Sequence, residues 1–171
     1  MNVQLDELRP VLSEAEREAA QRQLELRQQR QLAMSDTRRA LVLDAARSVF
    51  AEKGLEGAGI REIARRAGYT PGALYSYFDS KEAIYAALLS ESLDRLHAEV
   101  AAARAPKGQP HRLLAERANA WFGFYARNPR DLDLGFYLVQ GLAPRGLNPE
   151  LDRALNQRLM DALRPCEHAL E

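Results

Sequence analysis

Residues 60–78 read IREIARRAGYTPGALYSYF, and this stretch decides the fold. Ile60, Ile63, Ala64 and Ala67 recur at i, i+3, i+4 and i+7, which puts one apolar stripe on a first short helix. Gly68 follows at the position where a left-handed residue ends a helix at little cost. Thr70-Pro71 restarts the chain. A Thr hydroxyl can accept from an orphan N–H at a helix start, and Pro at the first helical position has no N–H to leave unpaired. On the second helix Leu74 and Phe78, at i and i+4, point one way as anchors. Ala73, Ser76 and Tyr77 point elsewhere, with Thr70 at the leading end. A plain helical hairpin more often carries Glu and Lys outward. Small and hydrogen-bonding side chains there suit phosphates and base edges.

The neighbouring residues extend the pattern. Ile63-Ala64, Ala67-Gly68, Pro71-Gly72, Leu74-Tyr75, Phe78 and Ser80-Lys81-Glu82 resemble, in order and spacing, the DNA-binding head of the tetracycline-repressor-type (TetR) family of bacterial transcription regulators. The likeness runs over residues 36–96. It implies an all-α chain: a three-helix helix-turn-helix head followed by a helical-bundle regulatory body. It implies a cytoplasmic homodimer that binds a near-palindromic double-stranded DNA operator, with no enzymatic activity, cofactor or membrane partner. The DNA contacts it implies fall on Arg61, Thr70, Gly72, Ala73, Tyr75, Ser76, Tyr77 and Lys81. Lys81 has a physical argument of its own. It lies in the first turn of the next helix, where a cation opposes the helix dipole, and a phosphate beside it would reverse the sign. One departure precedes the motif: Ala58-Gly59 stands where the family usually has a Thr cap, and Gly is an acceptable but weaker cap.

Around the motif the chain divides into a polar extension (1–35), the head (36–96, motif 59–78) and a helical regulatory or dimerisation part (97–171). Ser13 and Glu16 form a capping-box pattern before a Gln/Arg/Glu-rich, partly helical stretch. Its apolar residues are few and poorly aligned, so either a solvated extension or a docked segment fits. Its lack of net positive charge argues against a DNA-entering arm. The first head helix is expected from Thr37, capped by Ser35 or Asp36, and Gly54 is expected to stop it. Asp79 or Ser80 opens a long helix to about Arg104. After the linker 105–110, helices are expected at 111–128, from Pro129 to about Gln140, and from Pro149 towards Arg164, where Pro165 should break or bend the last. The resemblance implies two long C-terminal pairing helices, whereas few residues follow Pro165.

Composition narrows the function. Twenty-four basic and 24 acidic residues cancel, a mild argument against a nucleic-acid binder. Residues 36–81, with eight basic and six acidic side chains, are the net positive part. The polar N-terminus is no signal peptide, and the lone Cys166 fits a reducing compartment. His97, His111 and His168 lack metal-ligand spacing, and Gly54, Gly57 and Gly59 follow no strand, so no phosphate loop is indicated. Asp131 and Asp133 sit at a helix start, where the dipole favours acids, and read as surface acids. The aromatic group Trp121, Phe122, Phe124, Tyr125, Phe136 and Tyr137 reads as plain core or as a pocket wall. Phe124 lies roughly opposite Phe122, so one of the two must face outward. In the pocket reading Trp121, Tyr125 and Phe136 line a site for a small apolar or aromatic effector, gated by the loop 141–149. Two rivals to a ligand-responsive repressor remain: a DNA-binding factor without a small-molecule switch, and a helical interaction module without a DNA role.

Overall fold

The computed structural model describes residues 14–136 and 147–169, with the side chains of 18–135 and 147–169. Among the described residues there are seven helices and no strand: α1 (Glu14–Gly57), α2 (Ile60–Ala67), α3 (Pro71–Tyr75), α4 (Lys81–Ala102), α5 (Pro110–Arg127), α6 (Pro129–Phe136) and α7 (Pro149–Glu167). The chain divides into two units, Met1–Ala40 and Leu41–Glu171.

In the first unit the described backbone is helical throughout. The start expected at Ser35 or Asp36 is not a start, because α1 runs through both. Ala, Leu, Gln, Arg and Glu dominate this stretch and are strong helix formers. Thr37, whose hydroxyl could compete with the backbone, instead donates to the Ala33 carbonyl four residues back at 2.8 Å, a bond the helix interior accommodates. Leu24, Leu26, Leu32 and Met34 are all more than half exposed.

The second unit holds the core. Val42, Ala46, Val49 and Phe50 on α1 pack with Ile63 and Ala64 on α2, Leu74 on α3, and Phe78 beyond it. Gly54, at φ 66°, breaks helical geometry near the end of α1. Helix α4 continues the same core with Ile84, Leu88, Leu96 and Val100, and Phe50 meets Tyr85 edge-on at 5.2 Å. Helices α5, α6 and α7 pack on α4 and bring in Phe124, Leu134, Leu155 and Ala162. The Tyr85 hydroxyl, buried, donates to the Leu134 carbonyl at 2.7 Å. Buried polar groups need such partners.

Pro165 does not end α7, which continues to Glu167. A proline inside a helix leaves the carbonyl four residues earlier without its donor. Here that carbonyl belongs to Asp161, and His97 Nδ1 on α4 donates to it at 2.8 Å. The Pro165 carbonyl accepts from Arg117 on α5. Tertiary contacts thus replace the bond that the proline removes. No described helix is long and apolar enough to cross a membrane.

Candidate nucleic-acid interface

The turn between α2 and α3 is built as its residues dictate. Gly59 caps α2 through its carbonyl alone, accepting from Glu62 and Ile63 at 3.0 and 3.1 Å. Gly68 sits at φ 77°, ψ 24°, a left-handed position that a Cβ would strain. Thr70 Oγ1 accepts from the Ala73 N–H at 3.2 Å, and Pro71 occupies the first helical position. Regular helix ends at Tyr75, earlier than the pattern to Phe78 suggests. The Tyr77 N–H bonds back three residues to Leu74 at 2.9 Å, tightening the last turn. The Phe78 N–H reaches the same carbonyl at 3.0 Å.

Leu74 is fully buried and Phe78 nearly so, which fixes how α3 faces. Thr70, Gly72, Tyr75 and Ser76 are exposed, whereas Ala73 and Tyr77 are half-buried. A Cβ on Gly72 would meet nothing within 4 Å, so the fold does not require glycine there. Ser76 Oγ donates to the Ala73 carbonyl at 2.7 Å, which leaves its lone pairs free to accept. Arg61, on the first turn of α2, is exposed.

Other cations of the head serve the fold. Arg66 on α2 grips Glu52 on α1 with two bonds of 2.5 and 2.8 Å. Lys53 reaches Glu62 at 2.5 Å. The bond from Arg66 holds the Glu52 carboxyl below the ordinary carboxylate range, and the bond from Lys53 does the same for Glu62. Lys81 also has a structural task that its position in the chain does not announce. Its Nζ donates to the Leu55 carbonyl at 2.8 Å and lies 3.4 Å from those of Glu56 and Ala58. The carbonyl end of α1 thereby supplies the negative partner that the start of α4 lacks. Lys81→Ala should therefore lower stability by about 2 kcal/mol, the scale of hydrogen bonds to a charged group. A denaturant midpoint unchanged from the parent would overturn this role.

The second unit also contains an open, largely apolar cavity of about 550 Å³, lined by residues that include Leu89, Leu93, Trp121, Tyr125, Leu155 and Leu159. Trp121 and Tyr125 form one wall, their rings edge-on at 5.8 Å. Phe122, 73% exposed, also lines the cavity, while Phe124 is buried beneath Arg95, whose guanidinium lies 5.7 Å from the ring centroid. Phe122 is therefore the outward member of that pair. The Phe136 side chain and residues 141–146 of the gate expected at 141–149 lie outside the described residues.

Asp131 corrects an expectation. It is 4% exposed rather than a surface acid, whereas Asp133 is exposed. Its Oδ1 accepts from Arg95 on α4 at 2.7 Å and from Arg47 on α1 at 3.4 Å. Burial, and then the Asp131 charge, push the Tyr125 phenol above its usual range. No local pattern could reveal this cluster, because Arg47 lies 84 residues from Asp131.

The family model described as "Bacterial regulatory proteins, tetR family" matches residues 42–88. The HTH-type transcriptional activator FasR of Mycolicibacterium smegmatis is 35% identical over 101 residues, 59% of this chain and 46% of that protein. The HTH-type transcriptional repressor KstR2 of Rhodococcus jostii is 46% identical over 59 residues, 34% of this chain and 29% of that protein. The chain thus spans less than half the length of these relatives. Among solved structures, a bacterial regulatory protein in the tetR family from Rhodococcus RHA1 superposes with a TM-score of 0.66 at 25% identity, covering 77% of this chain and 67% of that one. The fatty acid degradation regulator FadR from Bacillus halodurans gives 0.57 at 25% identity, covering 77% and 65%. The helix-turn-helix head, at residues 42–88, thus matches the tetR family of bacterial regulatory proteins.

Proposed function

We propose that the chain is a ligand-responsive transcriptional repressor that binds a near-palindromic operator as a homodimer. The observation that carries the reading is the facing of α3: Leu74 and Phe78 hold it from behind, and Thr70, Gly72, Tyr75 and Ser76 are left outward. A five-residue helix reads too few bases to select a site alone. Two copies placed about 34 Å apart enter successive turns of one major groove. Arg61 contacts phosphate, while Gly72 and Ala73 permit close approach of the backbone. Tyr75, Ser76, Tyr77 and Thr70 supply contacts to base edges and backbone. Lys81 adds a phosphate contact, since one close and two long carbonyl bonds leave its ammonium able to exchange a long one.

Trp121 and Tyr125, with Phe136, take an apolar effector in the cavity beside α5. An apolar lining selects against charge, and the likeness to a regulator named for fatty acid degradation favours an acyl or similarly apolar compound. An effector that prefers a body shape with a different head separation weakens DNA binding by its differential affinity for the two states.

The test is a gel-shift on the protein's own upstream DNA, with sedimentation of the complex and with fatty acids and aromatic compounds added. Two chains per site are expected. Ser76→Ala and Tyr75→Ala should change sequence preference with an unaltered melting temperature. A releasing compound should shift the emission of Trp121, the chain's single tryptophan. One chain per site at every concentration would overturn the dimer. A releasing compound that leaves Trp121 emission unmoved would place the effector elsewhere, and release by none would favour a switch-free factor.

A further inference from the structure

The continuous helix through residues 18–40 gathers three of its five arginines on one side. Arg27, Arg30 and Arg38, at i, i+3 and i+11, fall within about 80° of one another around an α-helix at 3.6 residues per turn. Met34 shares that side, as do Gln23 and Gln31 with their amide donors. Glu18, Glu25 and Asp36, at i, i+7 and i+18, fall within about 20° of one another on the opposite side. All six charged side chains are exposed. Tallied by sequence, residues 18–40 carry five arginines and three acids. Folded as one helix, the segment presents a basic, amide-bearing face, while Arg22 and Arg39 flank the three acids on the other side.

The apolar residues exclude the usual partner of a long exposed helix. Leu24, Leu26, Leu32 and Met34 are spread round the axis and share no i, i+3, i+7 seam, so α1 offers no coiled-coil stripe. What remains is charge. Arg27 to Arg38 covers about 16 Å of helix axis, which matches several successive phosphates of a duplex at about 3.4 Å per strand step.

We propose that the face bearing Arg27, Arg30 and Arg38 binds the phosphate backbone of duplex DNA, adding a sequence-independent contact to the operator contacts of the head. The inference rests on the DNA-binding reading above. Guanidinium groups suit phosphate, and Gln amides can donate to the same oxygens.

The experiment measures log K against log salt for the full chain on a random-sequence duplex. Each phosphate contact contributes about 0.9 to the slope on duplex DNA. Arg27→Gln with Arg30→Gln should therefore lower the slope by about 1.8 per chain, and the Lys pair at the same positions should restore it. Arg22→Gln, off that face and paired with Glu18 at 3.3 Å, should leave it unchanged. Circular dichroism at equal helicity guards against loss of the helix. An unchanged slope in the double Gln variant overturns the proposal while leaving the head's DNA binding intact. An equal loss per charge in Arg22→Gln also overturns it, because net charge and not the face would be at work. A parent that binds no duplex overturns the DNA reading and this proposal together. If instead the double variant changes only the sedimentation of the free protein, the basic face seats a second copy and the proposal fails.

Discussion

Leu74→Ala is expected to abolish DNA binding by unfolding the head. Leu74 has no exposed surface, and its backbone carbonyl accepts the two bonds that close the turn after α3. Leu→Ala in a buried site costs about 2–5 kcal/mol, with the upper values where the site cannot collapse. Collapse is difficult here. Helix α3 has five residues, and Leu74 is the buried residue within it. Neither Thr70 as a cap nor Phe78 beyond the helix can reposition the segment unaided. Small folded units have little stability in reserve, so a loss on this scale leaves the recognition helix largely unformed at growth temperature. Thermal denaturation alongside a gel-shift checks the claim. The variant should lose its cooperative transition, or melt far earlier, and fail to shift DNA. A variant that melts with the parent yet fails to bind would mean that Leu74 touches DNA, and the facing of α3 would be reversed.

The motif was legible because its signals are local and agree. The i, i+3, i+4, i+7 stripe, Gly68 at positive φ and the Thr70-Pro71 cap each act within a few residues. The shared helix face of Trp121 and Tyr125 was legible for the same reason, since they lie at i and i+4. Other features, besides the buried Asp131 cluster, were not. The cap signals at Ser35 and Asp36 lost to a helix-forming stretch on both sides. Pro165, expected to break or bend the last helix, lies inside α7, and His97, 64 residues from the carbonyl it satisfies, supplies a missing donor. Lys81 was read from the dipole it opposes, without the carbonyls of α1 that compensate it. In each case either propensity over a long window or a partner distant in sequence outweighed a correct local rule.

Asp131 carries the second large effect. Its side chain is 6% exposed, while those of Arg47 and Arg95 are 27% and 48% exposed. Removing one member of a buried charge pair typically costs about 3–5 kcal/mol, because the remaining charge is left buried without a partner. Here both arginines can turn partly to water, so Asp131→Ala is expected to lie at the lower end, about 3 kcal/mol. Asp131→Asn keeps an acceptor oxygen for Arg95 and should cost less. The loss is not confined to α6. Arg47 belongs to α1 in the head, Arg95 to α4 and also to Phe124 through its ring face, and Leu132 and Gly135 beside Asp131 line the apolar cavity. The carboxylate is therefore an ion-pair hub that ties the cavity wall to a head helix, alongside the 3.7 Å pair of Arg47 with Glu91 on α4. Denaturant unfolding of Asp131→Ala, Arg95→Ala and the double variant measures the coupling directly. A coupling near zero would mark the contact as an ordinary surface pair. A second readout separates charge from packing. Burial is the larger cause of the raised Tyr125 phenol and the Asp131 charge the smaller. In Asp131→Asn the Tyr125 titration should therefore move partway back towards the ordinary range, with its burial retained. A Tyr125 titration unmoved in that variant would show that Asp131 exerts no field on the cavity wall.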